Sequence, residues 1–236
     1  MKTYAIFAGL ILFLLAPKLS AQDHYQEMIQ GKIAECRKAV QQQPNNAQAQ
    51  KELAYVLETS NYKQVGNVVY TNNAPASVQD EAIRHLTKAV SLEPNHYDWQ
   101  SSLGLYLNNR GRYQEAIPHL KQSLYLLGLV KPISLSHGGW TDQTKHAESV
   151  WSTYGILGDA LAKLGRYHEA AEYYQQALKF DSTSCWVLLG LGNALNGEGK
   201  RPQARDAWQK IVLLNPKPNF YFREARRKLA LFPAVP

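Results

Sequence analysis

Residues 157–178 read Leu157-Gly158-Asp159-Ala160-Leu161-Ala162-Lys163-Leu164-Gly165-Arg166-Tyr167-His168-Glu169-Ala170-Ala171-Glu172-Tyr173-Tyr174-Gln175-Gln176-Ala177-Leu178, and 34 residues later the pattern returns. Gly158-Asp159-Ala160-Leu161 is answered by Gly192-Asn193-Ala194-Leu195, Gly165 by Gly199, Ala170 by Ala204, Tyr174 by Trp208 and Leu178 by Val212. An earlier copy holds Leu103-Gly104, Gly111-Arg112-Tyr113, Glu115-Ala116, Leu120 and Leu124. Each unit reads as two helices joined by a tight turn. Gly111, Gly165 and Gly199 stand where the first helix must stop and the chain needs a positive φ. Ala116, Ala170 and Ala204 mark the close crossing of the second helix over the first, where a larger side chain would overpack the site by about 1–3 kcal/mol. Pro202 falls in the first turn of its helix, where a missing N–H costs little. Pro118 lies deeper and predicts a slight bend.

A 34-residue unit with Leu-Gly, then Gly-x-Tyr-x-Glu-Ala, an aromatic and a late Pro resembles the tetratricopeptide (TPR) repeat. The resemblance spans most of the chain beyond its N-terminus. It implies an all-α solenoid of antiparallel helix pairs, wound as a right-handed superhelix, with a concave groove lined by the first helix of each pair. A degenerate copy with Leu53-Ala54, Leu57, Glu81-Ala82, Leu86, Ala89 and Pro94 precedes the others. Its spacing implies an insertion of 16 residues near 60–76, and a second insertion of 20 separates copies two and three. The expected organisation is a signal peptide at 1–21, a capping helix at 22–44, repeats at 47–94, 97–127, 151–184 and 185–218, an inserted loop at 128–147 and a basic capping helix at 219–236. Tyr25, Met28, Ile29, Ile33, Cys36 and Val40 would line one side of the first cap, and Phe222, Ala225, Leu229 and Phe232 one side of the last. Repeat arrays need such ends to cover exposed core.

The signal peptide follows from Met1-Lys2-Thr3, an apolar run from Tyr4 to Ala16, and Pro17-Lys18-Leu19-Ser20-Ala21 before Gln22. Thirteen apolar residues rise about 20 Å as a helix, short of the ~30 Å hydrocarbon core. Export to a periplasm or to the exterior is the expectation. Leu19 is large for its place near the cut, so an uncleaved N-terminal anchor stays as the alternative.

The chain has 236 residues, 45% apolar and 19% charged, which excludes wholesale disorder, a collagen-like fibre and a polytopic membrane protein. Its formal charge of +7 is unevenly spread. Nine Lys and Arg against two acids give residues 200–228 an excess of +7, while residues 22–199 sum to −2. Broad nucleic-acid binding is therefore not expected. A patch at Arg223, Arg226 and Arg227 is a candidate for an anionic surface, lipid or protein.

No motif of hydrolytic, redox, phosphate-binding or zinc chemistry occurs: there is no Cys-x-x-Cys, His-Glu-x-x-His, Gly-x-Ser-x-Gly or phosphate loop. A non-catalytic chain without cofactor or metal is the expectation. His85 and His119, 34 residues apart, would be repeat equivalents on successive outer helices, too far apart to share a metal ion and expected as solvated surface groups. Cys36, core-facing, and Cys185, opening the fourth repeat, are expected as two unpaired, mostly buried thiols, because several helix layers would separate them. The second insertion contains Ser134-Leu135-Ser136-His137-Gly138-Gly139-Trp140-Thr141-Asp142, where His137 and Trp140 are candidates for a partner-contact loop.

By the resemblance, the groove is lined by Lys51 and Tyr55, by Asp98, Leu105 and Asn109, by Asp159 and Lys163, and by Trp186 and Asn193. That lining is mixed polar with apolar anchors, as an extended peptide or partner helix requires. The Lys and Asn clamp with which co-chaperone members hold a C-terminal carboxylate is absent. Only Lys51 matches it, while Tyr55, Ser102, Ser152 and Ile156 occupy the other positions. The expected role is an exported scaffold or adaptor that binds a protein or peptide of unspecified identity. The alternatives are an envelope adaptor using the basic end and a complex subunit docked by its long loops; oligomeric state stays open.

Overall fold

A computed structural model describes residues 21–60, 62–65, 69–72, 75–128, 143–214 and 219–232, with side chains described from residue 27 onward outside 62–72 and 143–148. Among the described residues the chain forms α1 (Ala21–Gln42), α2 (Ala47–Thr59), β1 (Tyr62–Val65), β2 (Val69–Asn72), α3 (Ala76–Leu92), α4 (Tyr97–Asn109), α5 (Tyr113–Leu126), α6 (Gln143–Lys163), α7 (Tyr167–Phe180), α8 (Cys185–Gly197), α9 (Arg201–Leu214) and α10 (Phe220–Leu231). Each helix packs on the next, and α4, α6, α8 and α10 also touch in succession along one face. The segment that expected a signal peptide lies outside the described residues, apart from Ala21.

The turn is the same object three times. Gly111, Gly165 and Gly199 have φ of 72°, 75° and 79°. The following N–H reaches back to the last turn of the helix, from Arg112 to Leu107 O at 2.9 Å, Arg166 to Leu161 O at 3.0 Å and Lys200 to Leu195 O at 2.9 Å. This is the Schellman arrangement that satisfies orphan carbonyls. Arg112 then forks onto Glu115 and Arg166 onto Glu169 in exposed pairs of 2.6–2.7 Å, which contribute little because water screens them.

Within the pairs, a small residue on the first helix faces a large one on the second. A Cβ on Gly104 would lie 2.5 Å from Leu120 Cγ, on Gly158 2.8 Å from Tyr174 Cδ1, and on Gly192 2.3 Å from Trp208 Nε1. Ala54 and Leu86, buried at 0% and 2%, occupy the same positions in the first pair. Ala116, Ala170 and Ala204 are all fully buried at the crossings, and Pro118 sits inside α5.

Several expectations change. The first insertion is not merely an extra segment: β1 and β2 pair antiparallel, with Tyr62 opposite Asn72 and Val65 opposite Val69. Met28 is 57% exposed, so the buried side of α1 is Ile33 and Cys36, with Ile29 and Val40 packed beside them. Cys185 is half-buried, its thiol donating to Thr183 O at 3.5 Å.

His85 and His119 are not solvated surface groups. Each is half-buried and hydrogen-bonds through Nδ1 to a buried glutamine on the preceding helix, Gln50 Oε1 at 2.7 Å and Gln100 Oε1 at 2.8 Å. The glutamines in turn donate to Pro44 O at 2.8 Å and Pro94 O at 2.9 Å. The two helices of a pair and the loop before them are thus tied by one chain of bonds. Tyr154 and Tyr173, stacked with ring centres 6.2 Å apart, take the same two positions in the third pair.

The basic end is partly consumed by the fold. Arg205 Nη1 donates to the carbonyls of Leu229, at 3.3 Å, and Phe232, closing the C-terminus of α10 onto α9. Lys228 stands over the Trp208 ring and Arg201 over Phe232, while Asn219 caps the start of α10 by accepting from Phe222 N–H at 2.9 Å.

Candidate functional site

The candidate residues of the groove divide into two groups that the structure brings together and a remainder that it leaves dispersed. Lys51 and Tyr55 on α2 and Asp98 on α4 line one shallow cleft with Leu86, Trp99, Ser102 and Tyr106. Its volume is about 30 Å³, room for a water or the tip of a side chain and far below that of a small-molecule pocket. Tyr55 projects from its rim, 60% exposed. Trp99, which closes the cleft, is buried and stacks on His96 with ring centres 4.1 Å apart.

The second group centres on Asp159 of α6. Its Oδ1 accepts from Tyr174 Oη–H at 2.5 Å and its Oδ2 from Trp186 Nε1–H at 3.1 Å. Burial pushes the Asp159 carboxyl above the usual carboxylate range, and the two donors and the charge of Lys163 pull it back. The Tyr174 hydroxyl is pushed well up by burial and by the adjoining carboxylate. Trp186 meets Trp151 edge to face, with centres 6.0 Å apart and planes at 62°. Two glycines make this possible: a Cβ on Gly155 would lie 2.7 Å from Trp186 Cη2, and one on Gly190 2.6 Å from Tyr174 Cζ.

Leu105 is half-buried, Lys163 is exposed and reaches the Asp159 group only through its charge, and Asn109 and Asn193 are exposed on their helices without a described contact to either group. Ser101 and Thr153 bridge α4 to α6 at 2.8 Å between the two groups. Trp151, Gly155, Gly190 and Tyr174 were missed in the sequence reading. The signal for them was the density of Trp and Tyr beside glycines that the turn does not need. His137 and Trp140 lie outside the described residues.

At the basic end, Phe220, Arg223, Arg227 and Leu231 follow one another at three- and four-residue spacing on α10, and all four are exposed. Arg227 pairs with Glu224 at 2.8 Å and Arg226 stands over the Phe222 ring. Among the described residues no cluster of three or more His, Cys, Asp or Glu side chains could hold a metal ion, and no helix is long and apolar enough to cross a membrane.

Comparison with known families matches residues 80–126 to the tetratricopeptide repeat and residues 158–210 to the TPR repeat. A search of curated protein sequences returned no match. Among solved structures, a MamA protein aligns with a TM-score of 0.59 at 18% identity, over 92% of this chain and 93% of that one. PilF of Pseudomonas aeruginosa aligns at 0.54 and 18%, over 90% and 88%. YrrB, described as a TPR protein with an unusual peptide-binding site, aligns at 0.55 and 16%, over 83% and 82%. At these identities the likeness is one of fold. Residues 80–126 and 158–210 thus carry tetratricopeptide-type repeats, and the described helices share the fold of TPR solenoids.

Proposed function

We propose that the protein is an exported, non-catalytic adaptor that binds an extended segment of a partner protein along the face formed by α2, α4, α6 and α8. The observation that carries this reading is the pairing of anchor and polar groups at two stations of that face. One is the Lys51, Tyr55 and Asp98 cleft, and the other is Trp186 held by Asp159. A tyrosine that is 60% exposed at the mouth of a cleft is the kind of aromatic on which interface energy concentrates. The peptide site named for YrrB supports the same use of the fold. Site-specific photo-crosslinking from position 55 in the native envelope tests it. Capture of one partner, lost on Trp186→Ala and retained on deletion of 130–146, is expected; loss only on that deletion would move the binding surface to the loop.

A second reading has its own observation. The exposed stripe of Phe220, Arg223, Arg227 and Leu231 alternates apolar ends with cationic middle positions, as a helix lying on an anionic surface does. Flotation with phosphatidylglycerol-containing vesicles, but not with phosphatidylcholine alone, is the expected result. Unchanged flotation after Arg223→Glu with Arg227→Glu would remove this reading.

A further inference from the structure

Among the described residues, the contacts of Asp159 leave part of its bonding capacity unused. Each oxygen accepts one hydrogen bond, from Tyr174 and from Trp186. A carboxylate offers about four acceptor positions, so one on each oxygen is left over, the number that a two-pronged donor needs. Both donors are neutral. The cation acting on the group is Lys163, one turn along α6 and exposed, and among the described residues no ion pair with Asp159 forms.

The surroundings are aromatic. Trp151 and Trp186 stand at 62° to one another and both are half-buried, so part of each indole faces water. The Tyr221 hydroxyl of α10 is pushed up first by burial and then by the charges of Cys185 and Asp159. Gly155 and Gly190 leave the room in which Trp186 and Tyr174 reach Asp159, so the arrangement is built by three helices rather than by chance exposure of one.

Trp186 gives the carboxylate its N–H edge, and the ring faces of the two half-buried indoles favour a cation. A guanidinium is planar, stacks on an indole and forks onto two oxygens, whereas an ammonium acts as a hydrated point charge. The geometry points to this station as a recognition site for an arginine side chain of the bound segment, with Asp159 as its counter-ion and the half-buried indoles of Trp186 and its neighbour Trp151 as the aromatic surface beside it. The inference rests on the groove reading above and adds the chemistry of the residue that the groove selects.

The full-length chain, labelled with nitrogen-15, is titrated with the peptide Ac-Gly-Arg-Gly-amide and with its citrulline counterpart, which keeps the shape and removes the charge. The reporter is the Trp186 indole N–H resonance, assigned by its loss in Trp186→Phe. The arginine peptide is expected to shift it, with the citrulline peptide weaker by about tenfold. Asp159→Asn should abolish that preference, and Trp151→Leu, which touches no bond of Asp159, should reduce it severalfold. Equal titration by the two peptides overturns the proposal, as does an unchanged preference in Asp159→Asn. If Asp159→Asn fails to fold by circular dichroism, an undiminished preference in Trp151→Leu overturns it instead. A chain that loses partner capture on Tyr55→Ala yet shows no arginine preference keeps the groove and loses the arginine site.

Discussion

His119 bonds through Nδ1 to Gln100 Oε1 across 2.8 Å, and the same bond joins His85 to Gln50 in the preceding helix pair. Gln100 is 5% exposed and spends its amide on Pro94 O. Removing the imidazole leaves a buried acceptor unpaired, which costs about 1–3 kcal/mol. We expect His119→Ala to lower stability by that amount in urea unfolding. An effect no larger than that of an exposed helical residue, such as Lys88→Ala, would show that the tie contributes nothing.

The same histidines set a pH dependence. Burial, ahead of any charge, holds both imidazoles below their ordinary value; Glu81 pulls His85 partly back, and Glu115 pulls back His119. The unfolded chain, with imidazoles near an ordinary value of about 6.5, therefore takes up protons before the folded chain does. Stability contributed by neutral histidine is full above that value and is lost as pH falls through the depressed folded values. Urea midpoints measured from pH 7.5 down to 5.5 should fall, and they should fall less in a His85→Gln, His119→Gln double variant. Parallel slopes in the two proteins would exclude this source.

Glycine substitutions should differ in sign. Gly192 faces Trp208 so closely that a Cβ would sit 2.3 Å from Nε1. Gly192→Ala should therefore destabilise by about 1–3 kcal/mol through overpacking. Gly31, inside α1, has nothing within 4 Å of that position, so Gly31→Ala should stabilise by about 0.5–1 kcal/mol through lower chain entropy. Thermal unfolding of the two variants decides it, and a shift of the same sign in both would contradict the packing described.

Arg205 holds α10 by its C-terminal carbonyls. Its replacement by Ala removes charge-assisted bonds worth about 1.5–3 kcal/mol. Because units of a solenoid contact mainly their neighbours, the loss should stay local. Hydrogen exchange should quicken across 221–231 and stay unchanged in α2 and α3; uniform quickening would mean that the array unfolds as one unit.

Tyr174→Phe removes the donor to Asp159 Oδ1 without changing the shape that Gly158 and Gly190 accommodate. One oxygen of a carboxylate already held high by burial then loses its partner, at a cost of about 1–3 kcal/mol. Asp159→Asn in the Tyr174→Phe background should recover part of it, measured as a double-mutant cycle. Strict additivity would separate the two residues.

The repeat was legible in the sequence because it rests on local and periodic requirements. A helix that must stop needs a residue able to take positive φ, hence Gly111, Gly165 and Gly199. Two helices that cross closely need small residues at fixed spacing, hence Gly104, Gly158 and Gly192 opposite Leu120, Tyr174 and Trp208. The groove was legible only as a face: Asp159 and Trp186 were separate candidates on it, and nothing in their spacing joined them. They stand 27 residues apart on helices of neighbouring pairs, so their bond depends on how one pair is set against the next. Likewise, period 34 placed His85 and His119 as equivalents, but whether they face water or Gln50 and Gln100 depends on how each pair rolls against the preceding loop. Arg205 is one of the nine Lys and Arg of residues 200–228, and only the placement of α10 brings the carbonyls of Leu229 and Phe232 to it. Sequence by itself determined which residues are small, which turn and which repeat, because those follow from backbone sterics within one unit. The tertiary structure alone decided which polar groups meet, because hydrogen bonds need partners within about 3 Å, a precision set by the packing of whole helices.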